Sequence, residues 1–459
     1  MKENVITVIM AAGEGTRMKS KLPKVLHQLC KKPIIDYVVD VSFEITKVTP
    51  VVVVGHGAEQ IKEHLGDKVR YAYQYERLGT GHAVMMAQPY LDGFDGYALI
   101  LAGDTPLIQA ETLDGMIDYA VKGNYSAVAL SAIMENSDGY GRIIRDKNGD
   151  FDRIVEHKDA SREERKVKEI NASMYCFEVP SLLDALKKIN NDNAQKEYYL
   201  TDVLEIMKRE GKKVGIYAVS DADEVLGINT RVQLAEAEKI LRQRINQYHM
   251  LNGVTLIDPD NTYIGPDVEI GRDTVVYPGN MLEGKTKIGE ECTLYPNSRI
   301  VNAVIGNHVD IQASVLLDCQ IGDYTTVGPF AYIRPGTVIG KHVRIGDFVE
   351  VKNSTIGDGT KVSHLTYVGD GTIGEKVNVG CGVVFSNYDG EKKHRTIVGN
   401  NAFIGCNVNL VAPVEVEDGA YIAAGSTITE RVPADSLAIA RARQVNKEDW
   451  VKKRRAREE

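Results

Sequence analysis

Two rhythms of apolar residues divide the 459-residue chain. Up to about residue 228, short continuous apolar runs alternate with segments of helical spacing. VITVIM (5–10), VVVVG (51–55), YALILAGD (97–104) and SAVALSAI (126–133) predict strands buried on both faces of a mixed, mostly parallel sheet. PIIDYVVDVSF (33–43) and AETLDGMIDYAV (110–121) predict helices between them, so the first half is α/β. Residues 230–251 hold neither Gly nor Pro and place Leu234, Ala237, Ile240, Leu241 and Ile245 near one face. This predicts one amphipathic helix, either a linker strut between domains or a helix packed on the first.

From residue 252 the period becomes six. Ile264, Ile270, Val276, Leu282, Ile288, Leu294 and Ile300 follow it, as do Val327, Ile333, Ile339, Ile345 and Val351. Neither a helix nor an open strand has that period; stacked hexapeptide coils of a β-helix do, at about eighteen residues per coil and roughly ten coils in all. Steps of five, Val351 to Ile356 and Val368 to Ile373, shorten a side without ending the stack. The expected long interruption comes after Val379, and the rhythm resumes at Val398, Ile404, Leu410, Val416, Ile422 and Ile428. An insertion of that length has to project as a loop. The expected domains are therefore 1–229, a linker helix 230–251, and a β-helix 252–459 with a charge-rich tail from about 442.

Composition adds limits rather than detail. A chain this long exceeds the ~250 residues at which single cores stop growing, and 43% hydrophobic with 26% charged residues is ordinary globular usage. No apolar run is long enough for a membrane span, and MKENVITVIMAAG lacks a signal-peptide pattern, so the expected location is cytoplasmic. Six scattered cysteines without a CxxC pair argue against a disulfide framework or a zinc site. A net charge of -9 disfavours nucleic acid as a partner, so an anionic substrate must be met by local basic groups.

Candidate chemistry begins with MAAGEGTRM (10–18), a glycine turn after the first strand. A dinucleotide fingerprint would need a third glycine where Met18 stands. What remains is a turn whose amides can approach a phosphate or a base, with Arg17 and Lys24 supplying charge. Asp104, just past a buried strand, is a hard oxygen ligand suited to Mg²⁺, although taken alone such a residue is more often a turn or capping carboxylate. In the second half, His364 is a base of the right range for deprotonating an amine, and Glu350, about one coil earlier, is expected to orient it. His308 and His342 are expected at solvent-facing corners.

GEGTRM with Lys24, LGTGHAV (78–84), AGDTP (102–106), GYGRI (139–143), VEHKDA (155–160), INASMY (170–175) and GINTR (227–231) resemble sugar-1-phosphate nucleotidyltransferases. With the hexapeptide half behind them, they resemble the bacterial bifunctional N-acetylglucosamine-1-phosphate uridylyltransferase / glucosamine-1-phosphate N-acetyltransferase family nearly end to end. The resemblance implies a Rossmann-like first domain, a left-handed parallel β-helix, and assembly as a homotrimer with acetyl-transfer sites between parallel prisms. It implies UTP, glucosamine-1-phosphate, N-acetylglucosamine-1-phosphate and acetyl-CoA as substrates. Ala11, Ala12, Gly13, Lys24, Gln74, Gly79 and Thr80 would hold the nucleotide and Gly141, Glu156 and Asn171 the sugar. Asp104 and Asn229 would bind Mg²⁺, and Arg17 and Lys24 would neutralise phosphate charge.

For acetyl transfer the resemblance makes His364 the general base and assigns Arg334, Lys352, Tyr367 and Asn378 to the sugar phosphate and amine. The loop SNYDGEKKHRT (386–396) would bring Asn387, Tyr388 and Lys393 out from the coils, the first two toward substrate or acetyl-CoA and Lys393 toward an adjacent subunit. Cys381 and Cys406, where the family leads one to expect small Ala and Ser, would line the acetyl-CoA channel with Ala424 and Arg441. The competing expectations are a nucleotidyltransferase whose β-helix is only structural or regulatory, and a non-catalytic assembly subunit that has kept the fold.

Overall fold

The computed structural model describes residue 2 and residues 4–457, in two compact units, Met1–Leu241 and Arg242–Glu459.

In the first unit the strand Val5–Met10 runs parallel to Tyr97–Ala102 on one side and to Val51–Val54 on the other, with Arg70–Tyr73 beyond the latter. Glu169–Glu178 then joins antiparallel between Tyr97–Ala102 and Ala127–Ile133, and Val214–Ala218 closes that edge in parallel. The continuous apolar runs are explained by what each face meets. Ile9, Val52, Val54, Leu99 and Leu101 enter one core, while Ile6, Val8, Val51, Val53 and Ile100 enter another on the opposite face. Both alternating sets are buried, so no polar alternation survives. The expected helices are present as Ile34–Ile45 and Ala110–Lys122.

One irregularity matters for function. Pairing of Glu169–Glu178 with Ala127–Ile133 slips between Asn171 and Tyr175, and Ser173 takes a φ of 57°. A bulge of this kind re-aims side chains out of the ladder. The hairpin Gly141–Arg145/Phe151–Val155 branches from the same strand, pairing Gly141 with Asn171.

The helix Arg231–Leu251 matches the sequence expectation, but its apolar positions serve different cores. Leu234, Ala237, Ile240 and Leu241 pack with Leu29, Ile34, Leu107 and Ile228; Ile245 packs on the core of the second unit.

The second unit is a left-handed parallel β-helix with three ladders of 11, 10 and 9 short parallel strands. Its core is the column of hexad residues, Val276, Leu282, Ile288, Leu294 and Ile300 among them, all buried. Corners carry residues in the left-handed region, His308 (φ 55°), Tyr324 (φ 59°) and His342 (φ 54°) included. Their rings stack at centroid distances of 4.5 and 4.8 Å, which accounts for both corner histidines. The interruption does not start at Val379. Phe385, six residues on, is fully buried and continues the column; an aromatic fills an inward position where only aliphatic residues were expected. The extra chain lies between Phe385 and Val398, so Ile373 pairs with Val398 across the gap and Val398 then pairs normally with Val416.

Candidate active sites

The first site forms where the central strands end. Ala11 donates its amide to the Val53 carbonyl (2.9 Å) and Gly103 to Met10 (2.9 Å), which fixes the glycine turn against the Asp104 segment. Gly15 has a φ of 64°, and a Cβ there would stand 2.6 Å from Cβ of Lys24; glycine is required for the lysine to cross the turn. Lys24 Nζ donates to Asp104 Oδ2 and, at 3.0 Å, to Asn229 Oδ1. The Ile228 amide in turn donates to the Asp104 carbonyl (2.9 Å), holding the two acceptors side by side. Two hard oxygens thus face one cationic atom, a donor pair of the type Mg²⁺ takes when phosphate and water complete its shell. Among the described residues no group of three or more His, Cys, Asp or Glu could hold a metal ion.

A cavity of about 380 Å³ opens here, lined by Ala11, Ala12, Gly13, Lys24, Gln74, Gly79, Thr80 and Asp104, eight of the residues expected from the sequence. Gln74 spends its amide nitrogen on the Gly79 carbonyl (3.0 Å) and lies 3.1 Å from His82 Nδ1, which leaves its carbonyl oxygen to receive a donor. Gly79 (φ 105°) has no room for a Cβ, which would meet the Tyr198 carbonyl at 2.6 Å. Arg17 sits exposed on the turn Thr16–Met18 and does not line the cavity. Arg77 does, paired with Glu14. It was missed although it stands between Gln74 and Gly79; Ser173 and Glu197 also line the cavity and were missed, the first because only the bulge turns it there.

Gly141, Glu156 and Asn171 come together beside this cavity's Ser173. A Cβ on Gly141 would lie 3.5 Å from Glu156 Oε2, and Asn171 Nδ2 donates to Tyr175 Oη (2.8 Å). Burial pushes the Glu156 carboxyl above its ordinary range, and Asp202 and Asp159 add to this. Asp202, also pushed up chiefly by burial and then by Glu205, reaches about 6.

The second site lies on one corner of the β-helix. Strand register places Asp347 beneath His364, and the same register carried upward places Cys381, Cys406 and Ala424 at that level in successive coils. His364 Nδ1 lies 2.5 Å from Asp347 Oδ1. An ionised carboxylate only accepts, so Nδ1 carries the proton and Nε2 keeps its electron pair. The imidazole beside Asp347 holds that carboxyl below the usual range. The partner of His364 is therefore Asp347 and not Glu350. Glu350 lies one side of the prism further on, opposite Tyr367, and accepts from Arg334 Nη1 at 2.8 Å.

The remaining expected residues spread from this corner. Lys352 is held below the ordinary lysine range first by the neighbouring Lys393 ammonium and then by burial, so these two cations share one spot. Lys393 was expected to reach an adjacent subunit; in this chain it stands beside Lys352. Asn387 does not leave the coil. It is buried and donates to Asp370 (2.5 Å), which also accepts from Asn353 (2.6 Å). The arm proper starts at Tyr388, which is exposed, bridges to Lys393, and donates its hydroxyl to the Gly390 carbonyl (2.6 Å). Asp389 ties the tip by accepting from Lys392 N, Glu391 N and His394 Nε2. Asn378 lies on the strand before Cys381, and the Arg441 side chain lies 3.8 Å from where a Gly425 Cβ would be, beside Ala424.

Sequence comparison agrees with this division. The nucleotidyl transferase profile matches residues 6–223, and the bacterial transferase hexapeptide (six repeats) profile matches 318–353 and 395–430. The chain is 58% identical to the bifunctional protein GlmU of Acetivibrio thermocellus over 452 residues, 98% of each chain. It is 58% identical to the Clostridium novyi protein of that name, over 97% of this chain and 98% of the relative. The chain belongs to the bifunctional GlmU family. Both sites described above fall within the span shared with the family, and the arm with His364 lies between the two hexapeptide matches.

Proposed function

We propose that this chain makes UDP-N-acetylglucosamine in two steps. Residues 252–459 transfer an acetyl group from acetyl-CoA to glucosamine-1-phosphate; residues 1–229, joined by helix 230–251, transfer the uridylyl group of UTP to the N-acetylglucosamine-1-phosphate so formed, releasing pyrophosphate. The observation that carries this reading is the presence in one chain of the Lys24–Asp104–Asn229 cluster and the Asp347–His364 pair.

In acetyl transfer the amine must attack with a free electron pair. His364 Nε2 takes the amine proton as the C–N bond forms, the thioester C–S bond breaks, and CoA leaves as a thiolate that recovers a proton from the imidazolium; Asp347 holds the tautomer and balances that imidazolium. Arg334 and Lys352 hold the sugar phosphate, with Tyr367, Asn378 and Lys393 around it. The acetyl-CoA path follows the corner column Cys381, Cys406 and Ala424, with Asn387, Tyr388 and Arg441 beside it.

In uridylyl transfer Gln74 receives a donor from the base, while Ala11, Ala12, Gly13, Gly79 and Thr80 offer backbone close to the nucleotide. Lys24 and Arg77 are the cations that line the cavity, with Arg17 on the turn outside it, and Gly141, Glu156 and Asn171 take the sugar. Asp104 and Asn229 would hold Mg²⁺, which supplies charge neutralisation on the phosphates. The phosphate oxygen of the sugar attacks in line, so these residues act by positioning.

We place the chain in the cytoplasm as a homotrimer; the exposed column Phe330, Phe348 and Leu365, one residue beyond the His364 corner, is the surface a second copy would cover. Among the described residues no helix is long and apolar enough to cross a membrane. The test supplies glucosamine-1-phosphate, acetyl-CoA, UTP and Mg²⁺ and follows CoA thiol and pyrophosphate together. Release of pyrophosphate without CoA, or acetyl transfer undiminished in His364→Ala, would leave the β-helix a structural element.

A further inference from the structure

Four of the six cysteines, Cys30, Cys176, Cys292 and Cys319, are buried; Cys381 is half-buried and Cys406 exposed. These last two are not scattered in space. Val379 pairs with Ile404, so two residues on Cys381 and Cys406 stand at one level in adjacent coils, and Asn407 N donates to the Cys381 carbonyl at 2.8 Å. Adjacent strands lie about 4.8 Å apart, within the roughly 4.4–6.8 Å between Cα atoms that a disulfide spans. Side chains at this level do meet across coils, because the pair just below, Asp347 and His364, is in contact at 2.5 Å.

We infer that Cys381 and Cys406 form a redox pair whose disulfide switches off acetyl transfer. A peroxide is the oxidant. The exposed Cys406 thiolate attacks a peroxide oxygen, the O–O bond breaks, and after protonation one water leaves a sulfenic acid. The Cys381 sulfur then attacks the Cys406 sulfur, the S–O bond breaks, and the second water departs with the thiol proton. Two thiols and one hydrogen peroxide give one disulfide and two waters. The chemistry stands on the coil register alone; the consequence rests on the proposed acetyl-CoA path, which the bridge would cross immediately above His364.

The full-length reduced protein is treated with hydrogen peroxide, alkylated under denaturing conditions and peptide-mapped without substrate, so the map decides the cysteine chemistry even if the acetyl-transfer reading were wrong. The expected result is a Cys381–Cys406 cross-linked peptide with the mass of two hydrogens lost. Acetyl transfer falls by more than about tenfold, the scale of a disturbed near-attack geometry. Uridylyl transfer holds, and dithiothreitol restores the loss. Cys381→Ala and Cys406→Ala, each compared with its own untreated sample, lose this reversible sensitivity. Separate sulfinic acids without a cross-link overturn the inference, as does a cross-link that leaves acetyl transfer intact, or a Cys406→Ala protein as sensitive as the parent.

Discussion

Replacing Asp347 by Asn tests which carboxylate serves His364. The substitution keeps the shape but lets the amide nitrogen donate to Nδ1, so the proton moves to Nε2 and the free electron pair turns away from the substrate. Where such a carboxylate is buried, the wrong tautomer costs roughly 10⁴ in kcat. Here the two side chains are 52% and 35% exposed, and water competes for both, so the expected loss is smaller. We expect acetyl-transfer kcat to fall about 10- to 100-fold, below the roughly 10²- to 10⁴-fold loss of the base itself in His364→Ala. Glu350→Gln acts differently. Its carboxylate engages Arg334 at 2.8 Å, so its removal loosens the guanidinium that we propose holds the sugar phosphate, and is expected to raise KM for glucosamine-1-phosphate with less loss of kcat than Asp347→Asn. The assay is CoA thiol release at saturating acetyl-CoA, with pyrophosphate release as the control for intact protein. A Glu350→Gln protein that loses more kcat than Asp347→Asn would refute the pairing.

Three further outcomes follow from the geometry. Asp104→Asn removes the charge that Lys24 meets beside Asn229 and should lower uridylyl transfer at least about 100-fold, with acetyl transfer retained; pyrophosphate release against Mg²⁺ concentration checks both. Asp202 titrates near 6 against an ordinary 3.8, so its protonated form favours the fold: that stability is whole below about pH 4 and lost as pH rises through about 6. Asp202→Asn should therefore add about 1 kcal/mol above pH 7, discounted for partial exposure, and nothing near pH 4, measured as Tm across pH. Phe385→Ala empties one position of the β-helix column and should cost about 3–5 kcal/mol in denaturant unfolding of the second unit.

The parts legible in the sequence were those repeated by physical necessity. A prism one side chain wide must put an apolar residue inward on every side, so the hexads show directly, as do strands whose two faces both meet a core. The glycine turn was legible for a related reason: Lys24 can cross Gly15 only because no Cβ stands there. Side chains aimed by an irregularity were hidden. Ser173 reaches the cavity through a bulge that no periodicity announces, and Phe385 keeps the column with a ring where aliphatic residues were being counted. The partner of His364 shows how narrow the margin is. One full coil of about eighteen residues counted back from His364 lands on Gly346, which has no carboxylate, and leaves two acids close by, Asp347 one position on and Glu350 four on. The coil beneath His364 contains the five-residue step from Val351 to Ile356, so Ile345 pairs with Val362 and position 347 comes under 364. The step was visible; carrying it into the count would have named Asp347. Residue placement in a solenoid is thus additive along the chain, and a shortened side shifts by one only the partners whose interval contains it: Ile345 and Val362 pair 17 residues apart, whereas Ile404 and Ile422, with no shortened side between them, pair 18 apart.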